Sequence, residues 1–302
     1  MQAGMLSRIC LAAALSLASL GVWGQAKNAG EFKPQVGQAG KDVIWVPTPE
    51  AVVERMLSMA RVGPTDFVMD LGSGDGRIAI AAAKKFGARA LGIEYNPKMV
   101  ELSRREARKA GVEKRAQFRH ADIFQTDFSK ATVITMYLLP DLNLRLRPKI
   151  LEMKPGTRVA AHQFNMGDWE PDESADLDGR NAYLWIVPAR VAGAWHLQAG
   201  SDSYDITLTQ SFQKVAGVAK VGDRVLEVHD SKLRGEQISL VIGNSAPHQF
   251  SGRVTGDAME GTVRSGGAEA RWNATRREVG VSNANRNAAG CVSLTRTHGA
   301  DQ

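Results

Sequence analysis

The chain has 302 residues, 43% of them apolar, with 38 Lys and Arg against 32 Asp and Glu, a net charge of +6. That is enough apolar material for a packed core and a length that suggests two domains, with a charge excess small enough to read as solvated surface. Of the two cysteines, only Cys291 lies outside an apolar leader, which excludes an internal disulfide in the processed chain and a cysteine-held metal. The leader comes first. Arg8 precedes the apolar run Ile9 to Val22, and small residues follow at Gly24 and Ala26. Residues 1–26 therefore read as a secretory signal, too short for a membrane span. Cys10 starts the run rather than ending it, so lipoprotein processing is not expected there. Export to the periplasm or association with a membrane follows, and a cytosolic enzyme if the signal is not used. Residues 27–42 are polar and glycine-rich and read as a linker.

From Val43 to Pro188 helical and strand patterns alternate. "AVVERMLSMARV" is an amphipathic helix, "FVMDL" a buried strand and "RIAIAAAKKF" a helix of small apolar residues. "ARALGIEY" is the next strand. "PKMVELSRREARKAG" is a helix with proline in its first turn and glycine at its end. "AQFRHAD" and "TVITMYLL" read as strands, "LNLRLRPKILEM" as a helix, and "TRVAAHQF" and "NAYLWIVP" as strands. Strands separated by helices imply a parallel sheet covered on both faces, an α/β domain over 43–188.

At Ala189 the texture changes to short alternating runs such as "YDITLTQ", "VAGVAKV", "QISLVIG" and "EARWNAT", several separated by turns like "GSDS" and "GNSA". About eight closely spaced strands predict an antiparallel all-β domain over 189–277, a small barrel or a sandwich. Residues 278–302 lack periodicity and read as a disordered tail.

The chemistry is concentrated in "DLGSGDGR", Asp70 to Arg77. Strand, glycine loop and helix form a nucleotide-cofactor geometry, and two ligands compete for it. A dinucleotide fold wants G-x-G-x-x-G with a pyrophosphate on the helix N-terminus. Here Arg77 stands where the last glycine would fall, and the carboxylates of Asp70 and Asp75 would repel a pyrophosphate. They suit a ligand carrying an ammonium or sulfonium group. Glu94 ends the second strand, where a carboxylate can accept both hydroxyls of a ribose. Asp122 follows the third, where it could accept from an adenine amine. Singly, each strand-end acid could merely cap a helix or face solvent. Jointly they read an adenosine bearing an amino acid.

With these residues the sequence resembles the class I S-adenosylmethionine-dependent methyltransferases and their Rossmann-like seven-stranded sheet. "WVPTPEAVVERML", "DLGSGDGRIAIAAAK", "GIEYNP", "SRREARKAG" and "GTRVAAHQF…DWEPD" are similar to the family that includes the mitochondrial lysine methyltransferases of the ATP synthase c-ring protein and the adenine nucleotide translocase. By that resemblance Asp70, Gly72, Ser73, Gly74 and Gly76, with Asp75 beside them, hold the methionine part of S-adenosylmethionine. Glu94 takes its ribose and Asp122 its adenine, and Thr48 closes over the methionine end. The stretch "YLLPDLN" departs from the small apolar residues expected there, beside the acceptor pocket.

Tyr137, Asp141 and His162 fall at or just beyond the C-terminal ends of the fourth and fifth strands, where ligands bind in such sheets. They are the candidates for orienting an acceptor. Each also has a plain structural role open to it: packing, helix capping, a satisfied core histidine. No N-P-P-Y segment follows the fourth strand, and the basic helix after Pro97 lacks interleaved aromatics, so no specific nucleic-acid partner is expected. The resemblance implies a protein lysine as acceptor, on a protein close to a membrane. A small-molecule acceptor is the second reading. An exported, non-catalytic binding protein that uses its β domain is the rival from another class.

Overall fold

The computed structural model describes residues 32–277; the expected signal and the expected tail lie outside them. Four helices and seven strands make the first half: α1 (Glu50–Met59), β1 (Phe67–Leu71), α2 (Arg77–Phe86), β2 (Arg89–Glu94), α3 (Pro97–Lys109), β3 (Ala116–His120), β4 (Val133–Met136), α4 (Pro140–Leu151), β5 (Arg158–His162), β6 (Glu173–Leu177) and β7 (Arg180–Ile186). They form one sheet in the order β3-β2-β1-β4-β5-β7-β6. The first five strands are parallel and the last two antiparallel.

Successive residues of a strand face opposite sides of a sheet, so a strand covered on both must be apolar throughout. β1 obeys this. Val68 packs with Val53, Leu57, Ala79 and Val100 of α1, α2 and α3. Met69 packs on the other face with Leu142, Leu146 and Ile150 of α4 and with Trp169 and Trp185. Strand order reverses between β1 and β4, and at such a switch point the loops diverge and leave a crevice at the carboxyl ends of the strands.

The second half is a closed antiparallel barrel of eight strands: β8 (Gly193–Ala199), β9 (Asp202–Ser211), β10 (Lys214–Val221), β11 (Arg224–Arg234), β12 (Gln237–Ile242), β13 (His248–Thr255), β14 (Ala258–Ser265) and β15 (Ala268–Arg276). Of the two forms expected, barrel or sandwich, closure selects the barrel: β15 pairs β8 and β9 pairs β10. Its interior is filled by Trp195, Phe250 and Trp272 with Leu197, Ile206 and Leu240. Trp195 donates to the Val191 carbonyl, and Trp272 to the carbonyls of Ser251 and Thr262, so each buried indole has its acceptor.

The barrel is fastened to the sheet through the segment after β5. Phe212, at the β9–β10 turn, adopts a left-handed φ of 54° and stacks on Trp169 at 5.9 Å. A side chain in that conformation costs about 1–3 kcal/mol, which the ring contact and the neighbouring Lys214–Glu170 and Arg234–Glu173 ion pairs help to offset. The β11–β12 turn comes so close that a Cβ on Gly235 would lie 3.0 Å from the Gly156 Cα.

Two local expectations differ from what is found. "ESADL" is a sixth strand that its acidic composition conceals; it is an edge strand with only β7 as neighbour, where charge is tolerated. The stretch expected as a linker is ordered from Gln35 onward. Gly37 and Trp45 bond across a short hairpin, N–H to carbonyl at 2.9 Å, and the Trp45 N–H returns a bond to the Gln38 carbonyl. Glycine and polar residues here build a strap over the crevice.

Candidate functional site

Gly72, Gly74 and Gly76 all have positive φ, 77°, 54° and 84°. Only glycine takes such values without strain. Three left-handed residues in five turn the chain from β1 into α2 while the Gly72 and Ser73 N–H groups both donate to the Ile93 carbonyl. Side chains would also collide. A Cβ on Gly74 would lie 2.9 Å from the Trp45 indole nitrogen of the strap, and one on Gly76 would lie 2.6 Å from Ser103 and Phe118.

The four acids expected here stand in four different situations. Asp70 is 1% exposed. The Thr135 hydroxyl donates to its Oδ1 at 2.8 Å, and its Oδ2 has no hydrogen-bond partner. Burial, reinforced by Asp75 and Glu94, pushes its pKa up to about 7. Glu94 accepts from the Gly74 N–H at 2.9 Å and from the Asn96 N–H at 2.8 Å. It therefore ties the glycine loop to the β2–α3 turn, and both its oxygens keep a lone pair for further donors. Asp75 is paired with Arg77, whose other arm donates to the Thr48 carbonyl. That chain of contacts fixes the end of the strap. Asp122 accepts from the Phe124 N–H and from the Lys41 ammonium at 2.6 Å, which holds its carboxyl below the usual range.

At the other end, the Thr48 hydroxyl lies 3.2 Å from His162 Nδ1, both residues being buried. Tyr137 lies against His162 at 4.0 Å and stacks on Phe164 at 6.1 Å. Burial first, and the Arg180 charge second, push the His162 pKa down to about 4. It is a neutral imidazole at physiological pH. Asp141 sits in the first turn of α4, exposed; Leu139, not an acidic residue, is the N-cap.

These parts enclose one cavity of about 970 Å³ between the strap and the carboxyl ends of β1, β2 and β4. Thr48, Asp70, Gly72, Ser73, Gly74, Asp75, Glu94, Asp122 and Tyr137 line it; Gly76, Asp141 and His162 stand behind or outside it. Sequence reasoning missed the strap residues Lys41 and Trp45, and Tyr95, Met99 and Leu142, which also line it. The "IEYNP" run could have signalled Tyr95, one residue beyond Glu94. Nothing in the sequence marks Lys41.

The residues fit S-adenosylmethionine. A buried carboxylate oxygen without a partner asks for a cationic donor, and Ser73 Oγ, also buried and unpartnered, stands beside it. The cavity has the size of sites for drug-sized ligands and joins that pair of atoms to Glu94 and Asp122 in a row.

Comparison with known proteins agrees. The model of the ANTKMT methyltransferase domain matches residues 70–173. A protein-lysine N-methyltransferase of Saccharolobus islandicus (strain REY15A) is 44% identical over 151 residues, 48% of this chain and 94% of that protein. An adenine nucleotide translocase lysine N-methyltransferase of Mus musculus is 30% identical over 176 residues, 56% of this chain and 72% of the mouse enzyme. Among solved structures, an RNA methyltransferase from Salinibacter ruber in complex with S-adenosyl-L-homocysteine is 50% identical, with a TM-score of 0.48, over 48% of this chain and 96% of that one.

Proposed function

We propose, from the premise that the chain belongs to the S-adenosylmethionine-dependent protein-lysine N-methyltransferase family, that it methylates a lysine side chain of a protein substrate. The observation that carries this is the unpartnered, buried Asp70 oxygen in a cavity whose far end is walled by Thr48, Tyr137 and neutral His162. When bound, S-adenosylmethionine supplies a methyl group on a sulfonium, and transfer to nitrogen leaves S-adenosylhomocysteine.

The chain's own residues supply alignment, and orientation of two reactants can carry about 7–11 kcal/mol of a barrier. Asp70 holds the ammonium of the methionine part. The loop Gly72–Gly76 lets the backbone come close, and Glu94 accepts from the ribose hydroxyls while keeping that loop in place. Tyr137 and His162 border the place of the acceptor. A lysine attacks only as the neutral amine. A histidine titrating at about 4 is roughly six units too acidic to hold a proton from an ordinary lysine ammonium. His162 is therefore an orienting group, and the proton leaves by solvent, eased by the burial that lowers a lysine pKa. Neutrality of the imidazole also avoids repelling the incoming sulfonium.

Ile44, Val46, Tyr95 and Leu139 are exposed on segments that line or adjoin the cavity, and they support an acceptor segment that is itself apolar, as on a membrane protein. Incubation of cell extract with methyl-labelled cofactor, followed by protease or nuclease in parallel and by acid hydrolysis, tests the acceptor. The expected result is label lost to protease and recovered as methylated lysine. Label that survives protease and disappears with nuclease would make the acceptor RNA and end this reading.

We propose further that residues 1–26 direct the chain out of the cytoplasm or to its membrane, on the pattern of Arg8, the apolar run and the small residues after it. A fusion of residues 1–40 to a reporter active only outside the cytoplasm should be active. A silent reporter would return the enzyme to the compartment where its cofactor is made.

A further inference from the structure

Lys41 stands at the tip of the strap hairpin, where the Gly40 N–H donates to the Val43 carbonyl. Its ammonium lies 2.6 Å from Asp122 Oδ2 and 4.7 Å from the centre of the Tyr95 ring. The other Asp122 oxygen, Oδ1, already accepts from the Phe124 N–H at 2.8 Å. Lys41, Tyr95 and Asp122 all line the cavity, at the end opposite Tyr137. This is the end read above as the nucleoside end, and the inference rests on that reading.

Two things an adenine ring needs there are taken by one side chain. Its exocyclic amine needs a free acceptor on Asp122, and the ammonium, a charge-assisted donor, is the stronger competitor for Oδ2. Its flat face needs an aromatic surface, and the Tyr95 ring is covered by the same cation. We propose that Lys41 is a built-in competitor for the nucleoside end of the cofactor site, so that cofactor entry displaces the Lys41 ammonium from Asp122 and loosens the tip of the strap. The direction of the Asp122 shift agrees, since Lys41 is its largest cause. A clamp would make the opposite prediction: a strap lysine that held the bound cofactor would raise its affinity.

The test is calorimetric titration of wild type and Lys41→Met with S-adenosylhomocysteine, whose ammonium and carboxylate cancel, at about 50 and 300 mM salt. The lysine sits partly in solvent, so its hold is modest and screened by salt. Lys41→Met is expected to bind about three- to tenfold more tightly than wild type at low salt. Higher salt should tighten wild-type binding and leave the variant unchanged. Hydrogen exchange gives a readout free of activity. Adding S-adenosylhomocysteine to wild type should protect the amides of residues 72–76 and leave those of residues 40–43 unprotected. Equal affinities, weaker binding by Lys41→Met, or protection of the strap tip on binding would each overturn the competitor role while leaving the cofactor site standing. Failure of both proteins to bind S-adenosylhomocysteine would instead overturn the cofactor reading on which the inference depends.

Discussion

Exchange of Asp70 for asparagine should stabilise the ligand-free protein at neutral pH and, in the same molecule, remove its affinity for cofactor. The carboxyl titrates at about 7 in the fold against 3.8 for the free group. A raised carboxylate pKa means that the folded state holds its proton more tightly than the unfolded one. Its contribution is therefore neutral below pH 4 and becomes a penalty that grows as pH rises to 7. The shift corresponds to about 4 kcal/mol. Asparagine escapes the charge and can still accept from Thr135, but its amide N–H groups are left without partners, which returns about 1–3 kcal/mol. A net gain of roughly 1–3 kcal/mol at pH 7.5, absent at pH 4, is the expected outcome of thermal melts. Removing the partner of a buried ammonium costs about 3–5 kcal/mol, some hundred- to several-thousand-fold in affinity. Wild-type affinity should also fall about tenfold per unit from pH 7 to pH 5, because binding must then expel the Asp70 proton, while the asparagine variant stays flat. Parallel pH profiles for the two proteins would mean that Asp70 does not meet the cationic end of the ligand.

A single methyl group at Gly76 is expected to damage the fold more than a larger group at Gly74. Gly76 combines a φ of 84° with immovable surroundings: the added Cβ would stand 2.6 Å from Ser103 and Phe118, both inside the core. Backbone strain of about 1–3 kcal/mol and overpacking of about 1–3 kcal/mol add to roughly 2–6 kcal/mol, a large part of an ordinary domain's stability. For Gly76→Ala this should lower the melting temperature by on the order of 10 °C. Gly74→Val meets the movable Trp45 side chain instead, so the sheet should survive and cofactor binding should be lost. Scanning calorimetry with and without S-adenosylhomocysteine separates the two. A Gly76→Ala protein that melts like wild type would show that the loop has room the packing denies.

The methyltransferase half was legible because its signals are local. "FVMDLGSGDGR" carries strand, turn and helix start in eleven consecutive residues, and the acids at strand ends follow from where the apolar runs stop. What sequence could not supply were relations across distance. Glu94 reads as a ligand group, yet it also bonds the Gly74 N–H twenty residues earlier. Removing it would therefore loosen the loop as well as the ribose contact. Asp122 reads as a free acceptor, but a lysine 81 residues away holds it. His162 reads as a possible base, and only its burial against Tyr137 and Thr48 makes it too acidic to be one. The polar, glycine-rich strap escaped for another reason: two turns and a few backbone bonds order it, and none of these needs an apolar pattern.

The pairing of β15 with β8 fixes an order of events in time. Trp272 is opposite Ala199, so the first strand of the barrel waits for a partner roughly 70 residues downstream. Contacts of that span are slow to form, and a fold that needs them lags behind one built from neighbours. Until β15 arrives, β8 and β14 are both open edges on which another chain could pair. A nascent chain short of residue 268 would carry a strip of unclosed sheet beside a methyltransferase half that could already be folding. The last nine residues of the barrel thus decide when half of this molecule stops being adhesive and becomes a closed surface.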